Sequence, residues 1–141
     1  MTKRWSDCLT KEHQLRGKTK KSPRTNAVRS HCGLHSHMSG AERDCCLYFQ
    51  MLEKVGYLKI LKVQPNVLLT DAKIRVIPDW LLEFKDGSQR YADMKGFETQ
   101  SWGRNKRLWK FYGPLPMEVW KKKGDVFYIS ETIVPVKELT K

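Results

Sequence analysis

The sequence predicts an α/β or α+β domain with a mixed central sheet flanked by helices. Three observations predict it. A capped helical stretch runs over 39–56, segments rich in strand formers follow over 58–95, and a second, basic helical stretch at 101–112 leads into further short strands. A length of 141 residues suits one domain. A 40% share of hydrophobic residues is enough to fold most of it around one core.

The first helix is signalled at both ends. Ser39 is a good N-cap, Glu42 stands three residues on in the capping-box position, and Gly56 is a stop. Between them Leu47, Met51, Leu52 and Val55 recur at helical spacing and are expected to face the core. Strands are predicted at Leu58–Val63 and 66–69 around Gln64-Pro65, at 73–84, and at 89–95. Asp86-Gly87 between the last two is a hairpin signal. In the second helix, Leu108, Phe111 and Tyr112 are expected on the core side, and Gly113-Pro114 ends it. Short strands at 117–120 and 126–129 are joined by a predicted turn over 121–125.

Ahead of this domain lies a segment of different composition. Residues 1–36 carry nine Lys and Arg against Asp7 and Glu12, with few large apolar side chains. They read as a basic, largely flexible arm, leaving 37–141 as the folded domain. The formal net charge of +12 points to a polyanionic partner, nucleic acid above all. The basic segments lack an amphipathic apolar face, no apolar run approaches membrane-spanning length, and the N-terminus lacks the apolar stretch of a secretory signal. A soluble, cytoplasmic protein with no membrane partner is the expectation. Accordingly, Cys8, Cys32, Cys45 and Cys46 are expected as reduced thiols. His31, Cys32, His35 and His37, with Cys8 or His13, invite a metal reading, but their spacing fits no standard zinc module. A flexible, substrate-facing loop is the expectation for that segment.

Chemistry is carried by a spaced set of charges. Pro78-Asp79 puts a carboxylate at the start of a strand, and Asp93-Met94-Lys95 puts a carboxylate and an ammonium two residues apart, on one side of the next strand. Two carboxylates offer a hard-oxygen site for Mg²⁺, and a lysine beside it can steer or deprotonate a water. Phosphodiester hydrolysis suits that set. Each member also has a purely structural reading: Glu42 as a cap, Asp79 as a salt-bridge partner of Arg75 or Arg90, and Asp93 with Lys95 as an ordinary ion pair.

At these residues the chain resembles the PD-(D/E)XK nuclease superfamily, its small phage-type members most of all. Pro78-Asp79 and Asp93-Met94-Lys95 match the two halves of the motif. Glu42 on the first helix, Gln64-Pro65 on the following strand and Lys95-Gly96-Phe97 complete the order. The resemblance covers roughly 39–120, and it is similar in order to endonuclease I type junction resolvases and to the endonuclease subunit of some transposases. It implies a restriction-endonuclease-like core and a metal-dependent DNA endonuclease, in a bacterial host cell if the chain is phage-encoded. Asp79, Asp93 and the carbonyl of Met94 would bind Mg²⁺ or Mn²⁺. Glu42 would hold a second metal or a metal-bound water, Lys95 would orient the attacking water, and Gln64 would bind Lys95 or a water. Asp93 stands where many members carry glutamate.

A basic surface for DNA is expected around this set. Arg104, Arg107 and Lys110, with Lys106 between them, give the second helix a cationic face, and Lys121, Lys122 and Lys123 cluster in the predicted turn. Lys18, Lys20, Lys21 and Arg24 would add the arm. A merely solvated face is the alternative. Trp5, Trp102, Trp109 and Trp120 are candidates to stack on bases, although Trp80, Trp109 and Trp120 read better as core or shelf residues. A basic arm on a small core would suit a homodimer cutting two strands. Two other functions fit the same residues: a non-catalytic nucleic-acid-binding protein with a structural acidic cluster, and a nuclease subunit active only within a larger complex.

Overall fold

A computed structural model describes residues 30–96 and 98–139. The arm residues Lys18, Lys20, Lys21 and Arg24, and also Trp5, Cys8 and His13, lie outside the described residues. The described chain is a mixed α+β domain built on a five-stranded mixed sheet. Its elements run β1 (Ser30–His31), β2 (Ser36–His37), α1 (Gly40–Lys54), β3 (Leu58–Val63), β4 (Val67–Leu68), β5 (Arg75–Val76), β6 (Trp80–Phe84), β7 (Gln89–Met94), α2 (Gln100–Tyr112), β8 (Met117–Lys123), β9 (Val126–Ile133) and α3 (Val136–Leu139). No helix among the described residues is long and apolar enough to cross a membrane.

The central sheet has the order β3-β6-β7-β8-β9. Every neighbouring pair is antiparallel except β7 and β8, which run parallel and are joined through α2. A parallel pair needs such a crossover, because a tight turn cannot reverse the chain twice. β6 and β7 form the hairpin that Asp86-Gly87 signals. Gly87 adopts φ +85°, which a side chain would resist, and Ser88 N–H is held by the Asp86 carboxylate at 2.9 Å.

Alternation along the strands divides the core into two layers. Trp80, Leu82, Ala92, Met94 and Trp120 face α1, whose Cys45, Cys46 and Phe49 they bury. Leu81, Tyr91, Met117 and Val119 face α2 and its Trp102 and Trp109. Phe49 sits edge-on to both Trp80 and Trp120, with ring centroids at 5.0 and 5.2 Å. Burying a ring of this size contributes about 1.5–3 kcal/mol.

Several sequence expectations are corrected by this packing. The α1 stripe that docks is Cys45, Cys46, Phe49 and Leu52, whereas Leu47, Met51 and Val55 are exposed. Both stripes have helical spacing, and the large ring and two compact thiols fit the tryptophan-lined sheet. In α2 the core side is Trp102 and Trp109, one heptad apart, and Phe111 and Tyr112 are exposed. Trp102 is thus buried and not free to stack on bases. The predicted strand at 73–84 breaks into β5 and β6, because Pro78 has no N–H to continue a ladder. The predicted strand at 66–69 is the two-residue β4, paired with β5 outside the main sheet. The turn at 121–125 shrinks to Gly124-Asp125, so Lys121, Lys122 and Lys123 lie on a strand. Finally, β1 and β2 pair as a hairpin with Cys32 in the core, so the folded domain includes 30–36, which the composition had assigned to the arm.

Gly113 closes α2, its N–H donating to Trp109 O at 2.7 Å. A Cβ there would lie 2.6 Å from both that oxygen and the indole Nε1. Gly113→Ala is expected to lower stability by about 1–3 kcal/mol. A urea midpoint equal to wild type would show that the helix end yields freely.

Candidate functional site

Three elements bring their acids to one end of the sheet. Glu42 stands in the first turn of α1, Asp79 immediately precedes β6, and Asp93 is the fifth residue of β7. Asp79 is tied directly to β7: its Oδ2 accepts the N–H of Met94 at 2.8 Å. Asp93 is buried, and its Oδ2 lies 2.9 Å from Lys95 Nζ. That oxygen receives no aligned hydrogen bond, so the ion pair leaves its acceptor capacity open. Lys95 Nζ also sits 4.6 Å from the centre of the Trp102 ring. Ring and carboxylate together fix the ammonium beside the acids.

The three acids act on one another electrostatically. Burial, followed by the negative charges of Asp93 and Glu42, pushes the Asp79 carboxyl up to about 9. The Met94 N–H opposes that shift without cancelling it. Burial also raises Glu42, with Asp93 adding to the rise and Lys95 countering it. Three carboxylates against one ammonium leave excess negative charge in a partly desolvated site. Such a site either holds a proton or attracts a cation.

The capping role of Glu42 coexists with this proximity. Its N–H donates to Ser39 Oγ at 3.1 Å, and its Oε2 accepts the N–H of Met38 at 3.2 Å. The structural partners considered for Asp79 lie elsewhere: Arg90 pairs with Glu118 at 2.7 Å, and Arg75 is exposed on β5. Gln64 is linked to the site through its backbone. Its N–H donates to Asp79 O at 2.8 Å, with φ at +51°, and its side chain is exposed. A non-glycine residue in that conformation is strained, and here it anchors the segment that carries Asp79.

Beside Lys95 opens a cleft of about 520 Å³, lined among others by Met94, Gly96, Lys121, Lys122 and Tyr128. Lys122 is partly engaged, at 2.9 Å from Asp44. Lys123 is exposed at the strand end. On α2, Arg104, Arg107 and Lys110 are exposed. Lys106 differs from them. It pairs with Glu131 at 2.7 Å and Glu98 at 3.6 Å, and the Glu131 hydrogen bond raises its pKa. It is committed to the protein's own carboxylates, which the sequence spacing does not reveal.

A second cluster joins three residues of the metal reading to a fourth, Cys46, that the sequence reading leaves out. Cys32, His35, His37 and Cys46 bring four ligand atoms within 4.8 Å of one another. From the sequence alone Cys46 is simply a reduced helix thiol. The readable signal was the pattern C-x₂-H-x-H-x₈-C, whose last member falls on the buried face of α1. His31 stands apart, its Nδ1 accepting Gly33 N–H at 2.9 Å. Compared with protein-family models and with curated proteins, the chain finds no match.

Proposed function

We propose that this chain is a metal-dependent DNA endonuclease of the PD-(D/E)XK type, with a restriction-endonuclease-like core, hydrolysing phosphodiester bonds. The single observation that supports it most is that Asp79, tied to β7 through the Met94 N–H, feels the charges of Asp93 and Glu42, while Lys95 pairs with Asp93. The donor set fits a small hard cation. Its side-chain donors are all carboxylate oxygens, one of these atoms is buried without an aligned donor, and burial together with the neighbouring negative charges raises the Asp79 carboxyl. Asp79, Asp93 and the Met94 carbonyl would hold Mg²⁺ or Mn²⁺, with Glu42 holding a second ion or a bound water. Bound there, the ion supplies Lewis acidity and offsets the charge that grows on the phosphate.

The chain's own residues do the rest. Lys95, oriented by Asp93 and Trp102, directs a water toward the phosphorus and presents positive charge to the nonbridging oxygens. The neighbouring cleft, with Lys121 and Lys122 on its wall, receives the sugar-phosphate backbone, and Arg104, Arg107 and Lys110 extend that contact. A homodimer would allow two strands to be cut.

The deciding experiment incubates the full chain with single-stranded, duplex, flap and four-way DNA, in Mg²⁺ and in EDTA, read at nucleotide resolution. Mg²⁺-dependent cuts inside at least one substrate are expected, with the four-way junction testing structure selectivity. Binding with no cut in any substrate would favour a non-catalytic nucleic-acid-binding protein, or a subunit that cuts only within a larger complex.

A further inference from the structure

We propose that Cys32, His35, His37 and Cys46 form a structural zinc site that clamps the β1–β2 hairpin onto α1. The site is separate from the acidic cluster and stands whether or not that cluster cuts DNA. Its distances carry the inference. A tetrahedral zinc with sulfur at about 2.3 Å and nitrogen at about 2.05 Å has S···S edges of about 3.8 Å and S···N edges of about 3.6 Å. Cys32 Sγ and Cys46 Sγ are 3.7 Å apart, and His35 Nδ1 lies 3.6 Å from each sulfur. Three of the four ligand atoms therefore already form one face of that tetrahedron. His37 brings the fourth within 4.8 Å of the others.

The surroundings fit a thiolate centre. Cys32 Sγ accepts the backbone N–H of His35 at 3.2 Å and the Gln50 side-chain amide at 3.2 Å. Two donors on one sulfur stabilise the charged form that a metal needs. Gly33, at φ +96°, lets the chain turn between Cys32 and His35 so that this N–H folds back onto the sulfur. Cys32, His37 and Cys46 are all buried, and His37 Nε2 has no hydrogen-bond partner. An unsatisfied ring nitrogen at 1% exposure is costly unless something binds in this neighbourhood.

Charge and coordination number identify the ion. Two thiolates and two neutral imidazoles bring a dication to net zero, so the filled site can be buried. Sulfur and imidazole favour zinc over the hard cations suited to the carboxylates. Four protein ligands leave no open position for a substrate, so the role is structural. A disulfide is the competing fate of the two sulfurs, but at 3.7 Å they are unbonded, and it would leave both histidines unused. The clamp also bears on Glu42. Met38, the residue after β2, donates its N–H to the Glu42 carboxylate, so a fixed hairpin steadies the acid.

The test purifies the full chain under reducing conditions and measures bound metal by mass spectrometry. About one zinc per chain is expected. Replacing zinc by Co²⁺ should give strong d–d bands of a tetrahedral site and a sulfur-to-cobalt charge-transfer band. Cys32→Ser and Cys46→Ser should each weaken metal binding by at least about 100-fold, whereas Cys8→Ser and Cys45→Ala should keep it. Wild-type chain that takes up neither zinc nor Co²⁺ overturns the proposal whatever the variants do. Retention of zinc by Cys46→Ser, or its loss in Cys8→Ser, overturns this ligand set.

Discussion

Replacing Asp93 by alanine is expected to lower DNA cleavage by at least about 100-fold while DNA binding persists, the cost of removing one preorganised electrostatic group from a water-poor site. Asp93 is the buried member of the set and the partner that orients Lys95. Its loss takes away a proposed metal ligand and lets the ammonium wander. In the proposed function, binding would rest on cations elsewhere, at Arg104, Arg107, Lys110, Lys121 and Lys122, so gel-shift affinity should change little. Asp79→Ala should behave likewise. Lys95→Ala should lose cleavage yet keep Mg²⁺ binding, since it leaves all three carboxylates in place. Equal cleavage by wild type and Asp93→Ala would reject the catalytic assignment. So would an Asp93→Ala loss of cleavage that only tracks a loss of folded protein by circular dichroism.

Asp79→Asn is expected to stabilise the metal-free protein at alkaline pH by an amount on the order of a few kcal/mol. The folded carboxyl titrates near 9, against an ordinary value of 3.8. Between those values the native state holds a proton that the unfolded chain releases. Stability contributed by that proton is complete below about pH 4, falls as pH rises, and is gone above about pH 9. Glu42, also raised, adds to the same slope over a smaller range. Asp44 and Asp86 act in the opposite sense, because hydrogen bonds from Lys122 and from Ser88 lower them. Their contribution is lost only as pH falls through those lowered values, outside this window. Asparagine keeps an oxygen to accept the Met94 N–H but removes the charge. Urea unfolding in EDTA from pH 5 to 9 should therefore slope downward for wild type and distinctly less steeply for Asp79→Asn, which keeps the Glu42 contribution. Adding Mg²⁺ at pH 8 should raise the melting temperature of wild type and leave the variant unmoved. A wild-type slope no steeper than the variant's would mean that Asp79 ionises freely.

How much of the fold is readable along the chain depends on the range of each signal. Ser39 and Gly56 bracket α1, and Asp86-Gly87 marks the β6–β7 turn, because capping and turn geometry act over a few residues. Pro78 carried a similar local message, yet the apolar run around it obscured the break between β5 and β6. The segment 30–37 has one large apolar residue, the exposed Leu34, and its order comes from pairing with itself and packing Cys32 onto α1.

The candidate site divides the same way. Asp79, Asp93 and Lys95 could be picked out because β6 and β7 are hairpin neighbours, which brings their residues together by short-range pairing. The meeting of Glu42 with them, the capture of Lys106 by Glu131, and the choice of Phe49 over Met51 as the docking face all depend on how helices settle on a sheet. So does the approach of Cys46 to Cys32, fourteen positions away on a different element. Residue order specifies caps, turns and alternation, whose energies are local. Which side chains become neighbours across layers is decided by the burial of tryptophan and phenylalanine surface, a term that only the assembled core can express.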